Sequence, residues 1–276
     1  MKTLRKTPLK LTDTKAESCT FDSRMEILHD LPFFRNLSHE EMHNINKVFS
    51  DTKYDLGDVI YREGEKSTRL CVIASGSVKL IKQNLDGKEI LTDILKQGEF
   101  FGNMDPSGET FYVETAIAQV SSCIMKINSE QFRSILEKYP TASLKVLDIM
   151  SKRLKESQER IKQLSANSVE NRIAYTILKL GEKLGVENDL GLLIQIPLTR
   201  YDIAGMTGTT PETASRIISK FKEVGLIKTG RKWTVITNIS ELEKKIESIE
   251  KVIYGIVMKF EPHPKTSEKI STSVIN

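Results

Sequence analysis

Glu212 and Arg216 stand four residues apart in the run Thr210-Pro211-Glu212-Thr213-Ala214-Ser215-Arg216. On a helix that spacing puts both on one face, with Ser215 beside them. A guanidinium can grip guanine O6 and N7, and a carboxylate can accept from cytosine N4. The trio therefore has the chemistry to read base edges in a major groove. The plainer alternative is a surface ion pair on an ordinary helix. Around it, residues 199–238 hold the bases Arg200, Arg216, Lys220, Lys222, Lys228, Arg231 and Lys232 against the acids Asp202, Glu212 and Glu223. Phosphate contacts, which position a protein on a duplex, need such an excess. The candidate DNA-contacting residues are Thr199, Arg200, Thr209, Thr210, Glu212, Thr213, Ser215, Arg216, Lys220, Arg231 and Lys232.

Two other constellations carry less. His39-Glu40-Glu41-Met42-His43 fits H-E-x-x-H, the zinc hydrolase pattern. Yet Ser38 and Glu41 also form a capping box, and acids suit the first turn of a helix. The other histidines, His29 and His263, lie in no third-ligand motif, so no metal site and no enzyme is expected. The cysteines are Cys19, Cys71 and Cys123; their odd number and wide spacing argue against a disulfide framework and for a reducing cytosol. Cys71 and Cys123 sit in apolar runs, as small hydrophobes do. An Fe–S cluster needs four ligands and is not expected. Haem is not expected either, since no histidine lies between His43 and His263. A thiol switch at Cys19 stays open.

These residues need elements to hold them. Thr199–Met206 is predicted as a short helix, followed by a Thr-Gly turn and a helix over Pro211–Val224 that Gly225 ends. Pro211 fits the first helical position. Two helices joined by a glycine-containing turn make a helix-turn-helix, and the alternating run from Leu226 to Ile236 around Gly230 predicts a hairpin wing. Val169–Leu184 is predicted helical with Gly185 as its stop. Upstream, Thr52–Asn128 alternates short Val, Ile, Tyr and Thr runs with glycines, and Asp86-Gly87 marks a hairpin. That predicts an antiparallel barrel or jelly roll, either holding a small ligand or filled with side chains. Between the two lies a stretch from about Thr141 to Ala166 without Gly or Pro. Leu147, Met150, Leu154, Ser157, Ile161 and Leu164 repeat there as a heptad seam. It suits two helices pairing in a homodimer, or one helix lying on its own barrel. A further helix over Ser240–Phe260, with a Ser240–Glu243 capping box, either packs on the winged segment or makes another subunit contact.

Composition sets the frame. The chain has 276 residues, 39% hydrophobic and 28% charged, which excludes a disordered chain and suggests two domains. No apolar run approaches a membrane span of about 18 residues, and the basic N-terminus has no apolar stretch for a secretory signal. A cytoplasmic protein with no membrane contact is expected. The formal charge is only +4, with 41 bases and 37 acids. The excess within residues 199–238 is enough to account for it.

The order of barrel, heptad helix and winged helix-turn-helix resembles the Crp-Fnr family of bacterial transcription regulators. The local matches that carry this are PLTRYDIAGMTGTTPETASRIISKFKEVGLI and GEFFGN, and the likeness covers roughly residues 25–240. It implies an α+β chain. Residues 1–24 would form a flexible arm, 25–140 an antiparallel jelly-roll sensor barrel and 141–167 a dimerisation helix seamed by Leu147, Met150, Leu154, Ile161 and Leu164. Residues 168–238 would form a winged helix-turn-helix, and 239–276 a C-terminal helix and tail. It also implies a homodimer on a two-fold symmetric double-stranded DNA site, with RNA polymerase as a partner. The Glu212, Ser215 and Arg216 arrangement looks like the Fnr-type reading head, which implies a TTGAT-like half-site. The cAMP-receptor type carries an extra Arg where this chain has Pro211.

The effector region departs from the family. Cyclic-nucleotide binders carry a Gly-Glu pair and, further on, an Arg-Ser or Arg-Ala pair that meet the ribose and the phosphate. Here the matching positions are Gly102-Asn103 and Phe111-Tyr112-Val113-Glu114-Thr115, and no Arg lies between Arg69 and Arg133. Neither cAMP nor cGMP is expected by the usual route, since the phosphate lacks a forked partner and Glu114 would repel it. The candidate effector pocket is Gly102, Asn103, Met104, Tyr112, Val113, Glu114 and Thr115. The alternative to a transcription factor is a small-ligand sensor acting mainly through a protein partner.

Overall fold

The computed structural model describes residues 20–83, 87, 89–103, 111–230 and 232–246. Helix α1 (Phe21–Asp30) begins inside the stretch expected to be an arm. Thr20 caps it, accepting from the Ser23 N–H at 3.2 Å, and Ile27 and Leu28 are buried. An apolar face plus a cap suffices for a helix, so residues 21–24 are not arm. Helix α2 (His39–Val48) starts at the expected Ser38–Glu41 capping box.

Eight strands follow: β1 (Ser50–Tyr54), β2 (Val59–Tyr61), β3 (Arg69–Ser75), β4 (Ser77–Gln83), β5 (Glu89–Lys96), β6 (Phe100–Gly102), β7 (Thr115–Ala118) and β8 (Ser122–Asn128). They form two antiparallel four-stranded sheets, ordered β1-β8-β3-β6 and β2-β7-β4-β5. The β4–β5 hairpin spans the Asp86-Gly87 position. Tyr61, Cys71, Ile73, Val78, Leu80, Leu95, Phe101, Ala116 and Ile124 fill the barrel interior. Leu80 pairs with Asp93 but Ile81 pairs with Leu91, so Thr92 is the extra residue of a β-bulge. The bulge lets Leu91 and Ile94, three apart, both join the core of the winged segment while Leu95 turns into the barrel.

Helix α3 (Ser129–Lys138) and the 27-residue α4 (Pro140–Ala166) close the barrel. At 1.5 Å per residue α4 is about 40 Å long. It lies on its own barrel through Ala142 and Val146, with Ile149 and Met150 packed beside them. Met150 therefore belongs to that packing face. A different stripe stays exposed: Leu144 at 62%, Leu147 at 64%, Leu154 at 61% and Ile161 at 61%. The two readings of this helix are thus compatible, because a helix this long has two faces to use.

The C-terminal part comprises α5 (Val169–Leu184), β9 (Gly185–Asn188), β10 (Gly191–Ile194), α6 (Arg200–Thr207), α7 (Pro211–Glu223), β11 (Ile227–Gly230) and β12 (Trp233–Ile236). Its sheet runs β11-β12-β10-β9, so the wing is half of a four-stranded sheet. The hairpin around Asn188-Asp189 is absent from the sequence-based expectation, although those turn residues followed by Leu192-Leu193-Ile194 signal it. Helix α8 (239–246 as described) is capped by Asn238, which accepts from the Glu241 N–H at 3.1 Å, rather than by the expected Ser240–Glu243 box. Leu242 is fully buried in the winged core and Ile246 packs against it. The rest of the expected Ser240–Phe260 helix lies outside the described residues.

Candidate nucleic-acid interface and barrel cavity

Local chemistry aims helix α7. Thr199 and Asp202 form a reciprocal capping box that starts α6, with Thr199 accepting from the Asp202 N–H at 3.0 Å. Gly208 ends it at φ +57°, a left-handed conformation that glycine adopts at little cost. Thr210 then caps α7, accepting from the Thr213 N–H at 3.2 Å, with Pro211 in the first turn. Ala214, Ile217, Ile218 and Phe221 bury the inner face of α7. Each fully buried large apolar side chain contributes roughly 1.5–3 kcal/mol, which holds the opposite face outward. On that outward side Glu212 and Arg216 are exposed and Ser215 is half-buried.

The other candidates are less uniform. Thr199, Thr210 and Thr213 have their hydroxyls engaged in caps. Thr209 is half-buried in the turn. Arg200 is half-buried in a cleft with Ile177, Leu198, Ile203 and Thr229, where burial disfavours its charged form. Its guanidinium is nonetheless charged at any ordinary pH. Lys220 reaches Glu170 at 2.7 Å and holds that carboxyl below the usual range, so its charge is partly spent within the protein. Lys232 is exposed on the wing, and Arg231 lies outside the described residues.

A cavity of about 170 Å³ opens where α4 crosses the barrel mouth. Its walls are Leu80, Asp93, Leu95, Phe101, Gly102 and Glu114 from the barrel, and Arg153, Glu156, Ser157 and Arg160 from one face of α4. Of the described candidate pocket residues, Gly102 and Glu114 line it. Asn103 turns away, donating to Ser67 Oγ at 2.7 Å. Tyr112 stacks on Tyr61 with centroids 3.7 Å apart, Val113 is 66% exposed, and the Thr115 hydroxyl accepts from the Glu63 N–H. Met104 lies outside the described residues. The two guanidiniums correct the expectation that an anion would find no forked partner here, since they come from α4. Both are already engaged. Arg153 donates to the Phe100 carbonyl at 2.7 Å and lies over the Phe100 ring, and Arg160 donates to the Thr92 carbonyl at 2.7 Å. Asp93, Glu114 and Glu156 put three carboxylates beside them.

Gly102 has φ +89°, and a Cβ there would stand 2.7 Å from the Arg69 carbonyl oxygen. Gly102→Ala should therefore destabilise the barrel by more than the usual ~1 kcal/mol of a glycine exchange, read as a fall in urea midpoint. Burial raises the Glu114 pKa. The folded chain then holds a proton that the unfolded chain releases once pH passes about 4, and stability contributed by this group falls as pH climbs through the folded value. Glu114→Gln should raise Tm at pH 7, with the gain vanishing below about pH 4. An equal gain at both pH values would refute the charge as its cause.

Glu41 is committed to its cap, and Ser38 lowers its pKa. His43 packs edge-on against Phe21. Among the described residues no group of three His, Cys, Asp or Glu could hold a metal ion. Cys71 is buried and free, its thiol pushed up to about 12 by burial. Cys123, also buried, is disulfide-bonded, which corrects both its reading as a small thiol hydrophobe and the expectation that the cysteines of this chain stay reduced. Cys19 lies outside the described residues. No described helix is long and apolar enough to cross a membrane.

Two family models match the chain. The cyclic nucleotide-binding domain matches residues 51–139, and the Crp-like helix-turn-helix domain matches residues 171–245. The chain belongs to the Crp-Fnr family of transcription regulators. Among relatives of this Crp-Fnr chain, the cyclic AMP receptor protein of Thermus thermophilus is 29% identical, over 72% of this chain and 89% of the relative. The CRP-like cAMP-activated global transcriptional regulator of Mycobacterium tuberculosis is 26% identical, over 80% and 98%. In fold, FixK2 from Bradyrhizobium japonicum superposes with a TM-score of 0.63 at 20% identity, over 71% of this chain and 96% of that one. The Crp-Fnr family is one of DNA-binding regulators rather than enzymes.

Proposed function

We propose that this Crp-Fnr chain is a homodimer that reads a palindromic TTGAT-like site through α7 and answers a signal other than a cyclic nucleotide. The observation that carries it is the outward face of α7, where Glu212 and Arg216 are exposed beside Ser215 and share one side of the helix. Arg216 would take guanine and Glu212 cytosine, while Lys232 on the wing would meet phosphate. Residues 25–140 would act as sensor, 141–167 as the pairing helix and 168–238 as the reading head, with RNA polymerase as the downstream partner. The exposed Leu144, Leu147, Leu154 and Ile161 support pairing, since lone chains rarely leave such a stripe in water. Against a cyclic nucleotide speak the missing barrel arginine and the three carboxylates of the cavity. The test is a footprint on two inverted TTGAT half-sites one helical turn apart. Protection of that duplex over a scrambled one at equal salt is expected, and equal protection would end this reading. Mass spectrometry of the denatured protein would identify any molecule carried in the cavity.

A further inference from the structure

The bulge at Thr92 sits where three parts of the molecule meet. The Thr92 hydroxyl donates to the Leu80 carbonyl at 3.0 Å, which holds the extra residue in place. Asp93, next in line, forms part of the cavity wall. From α4, Arg160 takes the Thr92 carbonyl and approaches Asp93 at 3.6 Å. From the last turn of α5, Lys183 donates to both Asp93 carboxylate oxygens, at 3.2 and 3.3 Å, and also lies 3.2 Å from Glu99. Lys96 of the same strand donates to the Lys183 carbonyl at 2.7 Å. Beside this cluster the first helix of the helix-turn-helix, α6, rests on the barrel: a Cβ on Gly205 would lie 3.0 Å from the Leu91 N.

We propose that Asp93 is the coupling residue between the cavity and the winged segment, sharing its carboxylate between Arg160 on the cavity side and Lys183 on the reading-head side. This rests on the function proposed above for its biological meaning, but not for its geometry. One carboxylate serves two cations on different elements. A change on the cavity side that draws Arg160 away therefore alters what Asp93 offers Lys183, and with it how firmly α6 sits on β5. Both Asp93 and Lys183 are about three-quarters buried, with side-chain exposures of 26% and 24%, so the pair is screened less than a surface one. Arg160 is 47% exposed and its contact is the longer one. It is thus the partner a ligand can take.

The experiment is hydrogen exchange of the full chain, following amides of β5 and α6 without any DNA or ligand. Asp93→Asn and Lys183→Gln should each speed exchange of α6 at least fivefold, and Lys183→Arg should retain protection. Arg160→Gln should shift α6 exchange at least threefold in the natural background and not at all in the Asp93→Asn background. Unchanged α6 exchange in Arg160→Gln, or the same shift with Asp93 removed, overturns the proposal. Because no arm uses DNA, failure of the TTGAT reading leaves this result standing, and the reverse holds too.

Discussion

Replacing Arg216 with Ala is expected to weaken binding to the inverted TTGAT duplex by about 1–3 kcal/mol per half-site, on the order of 5- to 150-fold, while binding to random duplex changes little. The reason is geometric. Arg216 is exposed on α7, and the core that fixes the helix, Ala214, Ile217, Ile218 and Phe221, lies on the other side. Truncation therefore removes donors from the outward face without disturbing the fold. Lys232→Ala makes the contrast. Taking a phosphate-binding charge off the wing should weaken every duplex alike and reduce the salt slope by about one. Fluorescence anisotropy on both duplexes over a salt series separates the two. Equal weakening by Arg216→Ala on both duplexes would show that this residue meets phosphate only.

The second large effect is expected at the long helix. Leu154→Glu combined with Ile161→Glu should turn a dimer into a monomer at micromolar concentration, read by sedimentation velocity. Affinity for the palindrome should fall on the order of 100-fold, because two tethered heads act at millimolar effective concentration and separate heads do not. Both side chains are 61% exposed in the single chain, so charging them costs the monomer's core nothing. Met150 packs against the barrel instead, so its truncation should lower stability and leave the dimer intact. A double-Glu variant that still sediments as a dimer would move the seam elsewhere.

Much of this molecule follows from neighbours in sequence. The Ser38 cap, the Pro211 start and the Gly208 turn are decided by groups within a few residues of one another, and each stands where the sequence predicts it. The outward face of α7 is equally local, since Glu212 and Arg216 share a side through helical spacing alone. Other features needed the fold. The heptad pattern could not say that Met150 belongs to the barrel while Leu144 joins the exposed stripe, because a 3.5-residue repeat does not tell a partner helix from a sheet. Nor could a search for arginine within the barrel segment find Arg153 and Arg160, which reach the cavity from some fifty residues beyond Gly102. The bulge at Thr92 is likewise invisible in the run Glu89–Lys96, whose register is set by the partner strand. Local hydrogen bonds and helical period determined the reading head. The cavity and the Asp93 junction arise only when distant segments pack, since no short-range pattern records which side chains will meet across a tertiary contact.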